Sequence, residues 1–148
     1  KILSLEHDTI YLEKTRQLLT SQNLIDAVNL YHAPLTDCIE GNAAYLYYNC
    51  ENILKKVADE LPPGIKKILV MVDGPPGATC TNARYLAAPP LFNHFANHQI
   101  DFVLDDANRP EEKSVIELWR AFWKKRSIHI QEKLIASEKG IYLASNHN

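Results

Sequence analysis

At 148 residues the chain has the length of one domain and can bury a real core. Its 46% hydrophobic and 23% charged residues match soluble globular proteins, which excludes a disordered or fibrous chain. Sixteen Lys and Arg against 18 Asp and Glu leave a net charge of −2, so the footprint of a nucleic-acid binder is missing. Cys38, Cys50 and Cys80 are an odd number at wide spacing with no CxxC, which reads as reduced thiols of a cytoplasmic protein. No apolar run approaches the ~18 residues of a membrane span.

The chain opens inside a short apolar strand, Ile2–Leu5, with neither Met nor a signal peptide ahead of it. Asp8 can cap a helix whose apolar positions are Tyr11, Thr15, Leu18 and Leu19, and which stops near Gln22-Asn23. A second strand is expected over Ile25–Tyr31, then Ala33-Pro34-Leu35, a polar loop from Asp37 to Asn42, and an aromatic stretch at Tyr45, Tyr47 and Tyr48. Residues 49–61 read as a helix ended by Pro62-Pro63-Gly64. Ile68–Val72 is apolar on both faces, as a central parallel strand is, and runs into Asp73-Gly74-Pro75-Pro76-Gly77. A helix begun by Pro89-Pro90 leads to the strand Ile100–Leu104, which ends in Asp105-Asp106. Pro110 starts a long helix with Val115, Ile116, Trp119, Phe122 and Trp123 on one face. Ser127–Lys133 and Gly140–Ser145 read as an antiparallel hairpin.

Strand–helix alternation followed by a hairpin predicts a single α/β domain over 1–148. It should be Rossmann-like, a mostly parallel sheet with helices on both faces and a C-terminal antiparallel hairpin. In such a sheet ligands lie beyond the carboxyl ends of the strands, and Glu6, Asp73 and Asp105-Asp106 fall there. A carboxylate in the position of Glu6 can accept both hydrogen bonds of a ribose diol; the plainer reading is an acid that leads into the next helix. Asp73, Asp105 and Asp106 converge if their strands are neighbours, and three carboxylates suit a hard cation such as Mg²⁺. In the plainer reading Asp106 caps a turn and Asp73 bonds the amides of Gly74–Gly77. His7 and His32 fall near the crevice, while His94, His98, His129 and His147 are scattered, and no nucleophile elbow exists.

Ser4-Leu5-Glu6-His7-Asp8, His32-Ala33-Pro34-Leu35, Val72-Asp73-Gly74-Pro75-Pro76-Gly77 and Leu104-Asp105-Asp106-Ala107, with Arg109 and Glu112, resemble class I S-adenosylmethionine-dependent methyltransferases. Small bacterial members near the O-methyltransferase branch are the nearest match, over almost the whole chain. The resemblance implies S-adenosylmethionine as cofactor, with Glu6 on its ribose hydroxyls, His7 beside it, Ala33, Pro34 and Leu35 against the adenine, and Asp73 facing the methyl donor. It also implies Asp73, Asp105 and Asp106 as ligands of a divalent cation. The family's glycine-rich loop after its first strand has no counterpart here. The resemblance therefore implies that strand and loop precede Lys1, and that these residues alone bind the cofactor poorly.

Methyl transfer to a hydroxyl of a small-molecule substrate is the leading expectation, with Asp73 or a nearby His as the base where no metal acts, and with neither nucleic acid nor membrane as partner. A homo-oligomer is compatible with it. An amino-group methylase would need an aromatic residue where Gly77 stands, and a nicotinamide dehydrogenase would need a GxGxxG. A non-catalytic α/β interaction module derived from a methyltransferase is the remaining alternative.

Overall fold

Strand and helix alternate through the chain as the two hydrophobic periods demand, and the computed structural model describes residues 2–146. His147, one of the scattered histidines, lies outside the described residues. The fold is α/β and Rossmann-like, with parallel strand pairs and a C-terminal antiparallel hairpin. Its contacts divide into two units, Lys1–Ile53 and Leu54–Asn148.

In the first unit β1 (Ile2–Glu6) and β2 (Val28–His32) pair in parallel, from Ile2 opposite Val28 to Glu6 opposite His32. Between them runs α1 (Thr9–Ser21), capped as expected: Asp8 Oδ1 accepts from the N–H of Ile10 at 2.7 Å and of Tyr11 at 3.1 Å. Thr15 and Leu19 are half-buried, but Tyr11 and Leu18 stay exposed and α1 buries no residue. Ile25–Ala27 is a short 3-10 turn, so β2 starts three residues later than the expected strand.

The expected polar loop after Asp37 is instead a hairpin. β3 (Leu35–Glu40) pairs antiparallel with β4 (Ala43–Tyr48) through the two-residue loop Gly41-Asn42. Gly41 has φ +61°, which the first position of a II′ hairpin turn requires. Alternation puts Tyr45 and Tyr47 on one buried face, a role that suits β-prone aromatics. Leu35 therefore opens a strand, and only Ala33-Pro34 remain as the turn after β2.

α2 (Glu51–Glu60) contains the boundary between the units. The second unit holds a four-stranded sheet of β5 (Lys67–Val72), β6 (Gln99–Leu104), β7 (Gln131–Ile135) and β8 (Ile141–Ser145), in the order β5-β6-β8-β7. β5 and β6 are parallel, and β8 runs antiparallel between β6 and β7, so the final strand inserts beside β6. α3 (Pro89–His94) and α4 (Pro110–Lys125) both start at prolines.

The core of this unit is aromatic. α4 buries Val115, Ile116, Trp119, Phe122 and Trp123, the face its spacing predicts. Trp119 packs on Phe102 at 5.5 Å and Tyr142 at 6.3 Å between ring centres, and Phe92 lies 6.0 Å from Phe102. Buried indole N–H groups need an acceptor, and Trp119 Nε1 donates to the Tyr85 carbonyl at 2.7 Å. β5 differs from expectation. Leu69 and Met71 are 66% and 67% exposed, and they alternate with the half-buried Ile68 and Val70 and the buried Val72, so one face of the strand is covered and the other is open.

Candidate functional site

The sequence-predicted residues gather in two constellations, each within its own unit. In the first, β1 and β2 end side by side, and the Ala33 N–H donates to the Glu6 carbonyl at 2.8 Å. Glu6 is half-buried. Its Oε1 accepts from the Asp8 N–H at 2.9 Å and lies 3.0 Å from His7 Nδ1, while Oε2 has no hydrogen-bond partner among the described residues. Geometry makes the His7 contact an ion pair when the ring is protonated rather than a hydrogen bond, because Nδ1 finds no aligned acceptor. His32 Nε2 lies 3.1 Å from the His7 carbonyl, and the His7 ring faces Tyr48 at 6.0 Å. Ala33 is fully buried, and the Pro34 carbonyl accepts from the Asn49 N–H at 2.9 Å. Glu6 thus combines a fixed carboxylate with one open oxygen, which is what a diol needs.

In the second, Asp73 follows β5 and Asp105-Asp106 follow β6, its parallel neighbour. Oxygens of the three carboxylates lie within 4.8 Å of one another, so the expected convergence is present. Asp73 is exposed, Asp105 half-buried and Asp106 buried. Asp106 has φ +59°, a left-handed conformation that Asp tolerates better than most residues and that turns the chain sharply after β6.

Sequence reasoning missed the group at the centre of these acids. Arg84 is 5% exposed, and its Nη2 donates to the Asp73 carbonyl at 2.8 Å and its Nη1 to the Asp105 carbonyl at 3.4 Å. Nη1 also pairs with Glu112 Oε1 of α4 at 3.0 Å. Arg109 Nη2 sits 3.0 Å from Asp106 Oδ2, and Lys139 Nζ lies 3.8 Å from Oδ1. One signal was available: Arg84 is the sole Lys, Arg, Asp or Glu between Asp73 and Asp101. A lone charge in so neutral a stretch points to a specific partner, because buried charges are paired.

The acids fit a divalent cation by chemistry but not as they stand. Three carboxylates are the hard oxygen ligands that Mg²⁺ takes, but here their charge is already matched by the protein's own cations. The same carboxylates already face three cationic side chains, which an ion would have to displace.

Two of the three thiols are held in their protonated form. Burial pushes Cys50 up to about 11 and raises Cys38 above its usual range, so both stay protonated at neutral pH. None of the three cysteines forms a disulfide, and no helix of the described residues is long and apolar enough to cross a membrane.

No protein-family model matches the sequence, and no curated protein does. Solved structures do match in fold. The N-terminal domain of human METTL16 in complex with SAH superposes at a TM-score of 0.59 with 9% identity, over 97% of this chain and 50% of that one. The O-methyltransferase from Bacillus cereus in complex with SAH gives 0.58 and 10%, over 99% and 63%. A methyltransferase from Geobacter sulfurreducens gives 0.51 and 13%, over 99% and 58%. The chain therefore has the class I methyltransferase fold, and it spans about half the length of the solved chains that it matches.

Proposed function

We propose that this chain is part of an enzyme that transfers a methyl group from S-adenosylmethionine to a small-molecule acceptor, with a hydroxyl oxygen as the acceptor atom. The observation that carries the reading is the convergence of Asp73, Asp105 and Asp106 at the carboxyl ends of two adjacent parallel strands, on a fold shared with methyltransferases solved with SAH. When bound, S-adenosylmethionine supplies an activated methyl group, so the protein's task is mainly in-line placement and preparation of the acceptor oxygen.

Glu6 takes the ribose hydroxyls with His7 beside it, and Ala33, Pro34 and Leu35 take the adenine side. Asp73 is exposed at the end of β5, and in this reading its carboxylate accepts the proton of the acceptor hydroxyl. A divalent cation on Asp73, Asp105 and Asp106 would have Arg84 as its rival.

A second reading, an α/β interaction module without catalysis, is favoured by the apolar side chains that the first unit exposes, Ile2, Ile10, Tyr11, Leu18 and Leu24. Calorimetric titration of the complete natural protein with S-adenosylhomocysteine separates the two. Micromolar binding is expected, weakened at least about tenfold by Glu6→Ala, which removes two charge-assisted hydrogen bonds. No binding by the complete protein would leave the module reading.

A further inference from the structure

We propose that Arg84 is the resident cation of the acidic strand ends: its guanidinium holds the Asp73 and Asp105-Asp106 turns together and keeps a divalent ion out.

Three features place it in that role. First, it bonds backbone rather than only charge. The carbonyls of Asp73 and Asp105, which end β5 and β6, both accept from its two Nη groups. Their carboxylates are thereby spaced by one rigid planar fork, which an ammonium could not reproduce. Second, the same Nη atoms lie 3.6 Å from Asp73 Oδ1 and 4.0 Å from Asp106 Oδ2, so the positive charge stands where an ion bound by these acids would feel it at close range.

Third, Arg84 cannot swing away. Ala83, Tyr85, Leu86, Ala87 and Ala88 around it are buried, the Tyr85 carbonyl is held by Trp119, and Glu112 anchors Nη1 from α4. Charge balance agrees. Arg84, Arg109 and Lys139 stand against Asp73, Asp105, Asp106 and Glu112, which leaves one net negative charge for the cluster, on the exposed side where Asp73 lies. Repulsion among clustered carboxylates is relieved without any metal.

The inference stands apart from methyl transfer, because its test needs neither cofactor nor acceptor. Mn²⁺ is titrated into the complete natural protein and followed by loss of the free-ion electron paramagnetic resonance signal. The wild type should take up no Mn²⁺ below ~1 mM, a range in which dedicated carboxylate sites fill. The double variant Arg84→Gln/Glu112→Gln removes one charge of each sign and should gain one Mn²⁺ per chain, at least about tenfold tighter. Adding Asp106→Asn should abolish that gain.

Circular dichroism and thermal melting establish that the variants are folded. Should the double variant fail to fold, Arg84→Gln alone replaces it. It removes the positive charge that keeps the ion out, so tighter Mn²⁺ uptake than wild type is expected, and unchanged uptake by the folded variant overturns the proposal. Stoichiometric Mn²⁺ binding by the wild type that Asp106→Asn removes would overturn it outright. A folded double variant that still takes no ion would do so too, since Arg84 would then not be what excludes it.

Discussion

α1 and α4 are both helices joined to parallel strands, yet they are held by different forces. α4 buries five apolar side chains and Glu112, and its aromatic residues stack with Phe92, Phe102 and Tyr142. α1 buries none, and its Ile10, Tyr11 and Leu18 are 64%, 60% and 61% exposed. Helices in proteins draw most of their stability from packing, so α4 is fixed by tertiary contact, whereas α1 depends on its cap and its own backbone bonds. The second unit should accordingly be the stable part of the molecule, and the acids at its strand ends the better-defined part of the site.

The largest test of that contrast is Trp119→Ala. Trp119 is fully buried among Phe102, Trp123 and Tyr142, and its loss leaves a cavity and removes the indole N–H bond to the Tyr85 carbonyl. A destabilisation of about 3–5 kcal/mol is expected in chemical denaturation. A loss below about 1 kcal/mol would mean that the aromatic cluster is not the core.

Next comes Gly140→Ala, in the turn between β7 and β8. Gly140 has φ +73°, and an added Cβ would stand 2.7 Å from Asn108 Cγ and 3.0 Å from the Asn108 backbone nitrogen. That turn is bonded to the chain after β6, Ala107 N–H to the Gly140 carbonyl and Asn108 N–H to the Lys139 carbonyl. Left-handed strain and the backbone clash together should cost about 1–3 kcal/mol and raise amide exchange at Ala107 and Asn108. Unchanged exchange at those amides would show the turn to be free of β6.

What was legible in the sequence follows the same divide. The face of α4, its start at Pro110 and the terminal hairpin could be read because one strong period ran through each segment. The β3–β4 hairpin could not, because Asp37 and Glu40 hid the alternation and made a strand look like loop, although Gly41-Asn42 carries a turn signal. Convergence of Asp73, Asp105 and Asp106 was readable as three acids after two strands. Arg84 stood out only as a lone charge in a neutral stretch, and its partners were not readable, because they are backbone carbonyls and acids brought to it by the fold of residues 74–88. β5 reads as buried on both faces from composition alone, but exposure depends on its neighbours.

A smaller effect is expected at the surface of the second unit. Burial tends to raise Glu132, but hydrogen bonds from Arg120 and the Tyr142 hydroxyl outweigh it and hold the carboxyl below its ordinary range. Its folded value therefore lies below its value of ~4.3 in the unfolded chain, and the stabilisation is fully present above that pH. It is lost as pH falls through the folded value. Because Arg120 is well exposed, the contribution is at most about 1 kcal/mol. Glu132→Gln should flatten the acid limb of a stability–pH profile below about pH 4.3 and leave pH 7 nearly as it was, apart from the lost pair. A limb of unchanged steepness would assign acid sensitivity to other carboxylates.

The smallest effects belong to α1, and two substitutions there sharpen the comparison with α4 most directly. Asp8→Ala removes the oxygen that satisfies two N–H groups of the first turn, and an N-cap is worth about 1 kcal/mol. Leu18→Gln changes a side chain that lies mostly in solvent, and surface changes of this kind stay within about 0.5 kcal/mol. In an ordinary amphipathic helix the order would be reversed, with the leucine worth several times the cap. Amide exchange across residues 10–21 reads the two variants separately from global unfolding: Asp8→Ala should speed it from the first turn inward, and Leu18→Gln should leave it unchanged. If Leu18→Gln instead costs about 2 kcal/mol or more, the leucine is packed against something in solution, and α1 is held as α4 is.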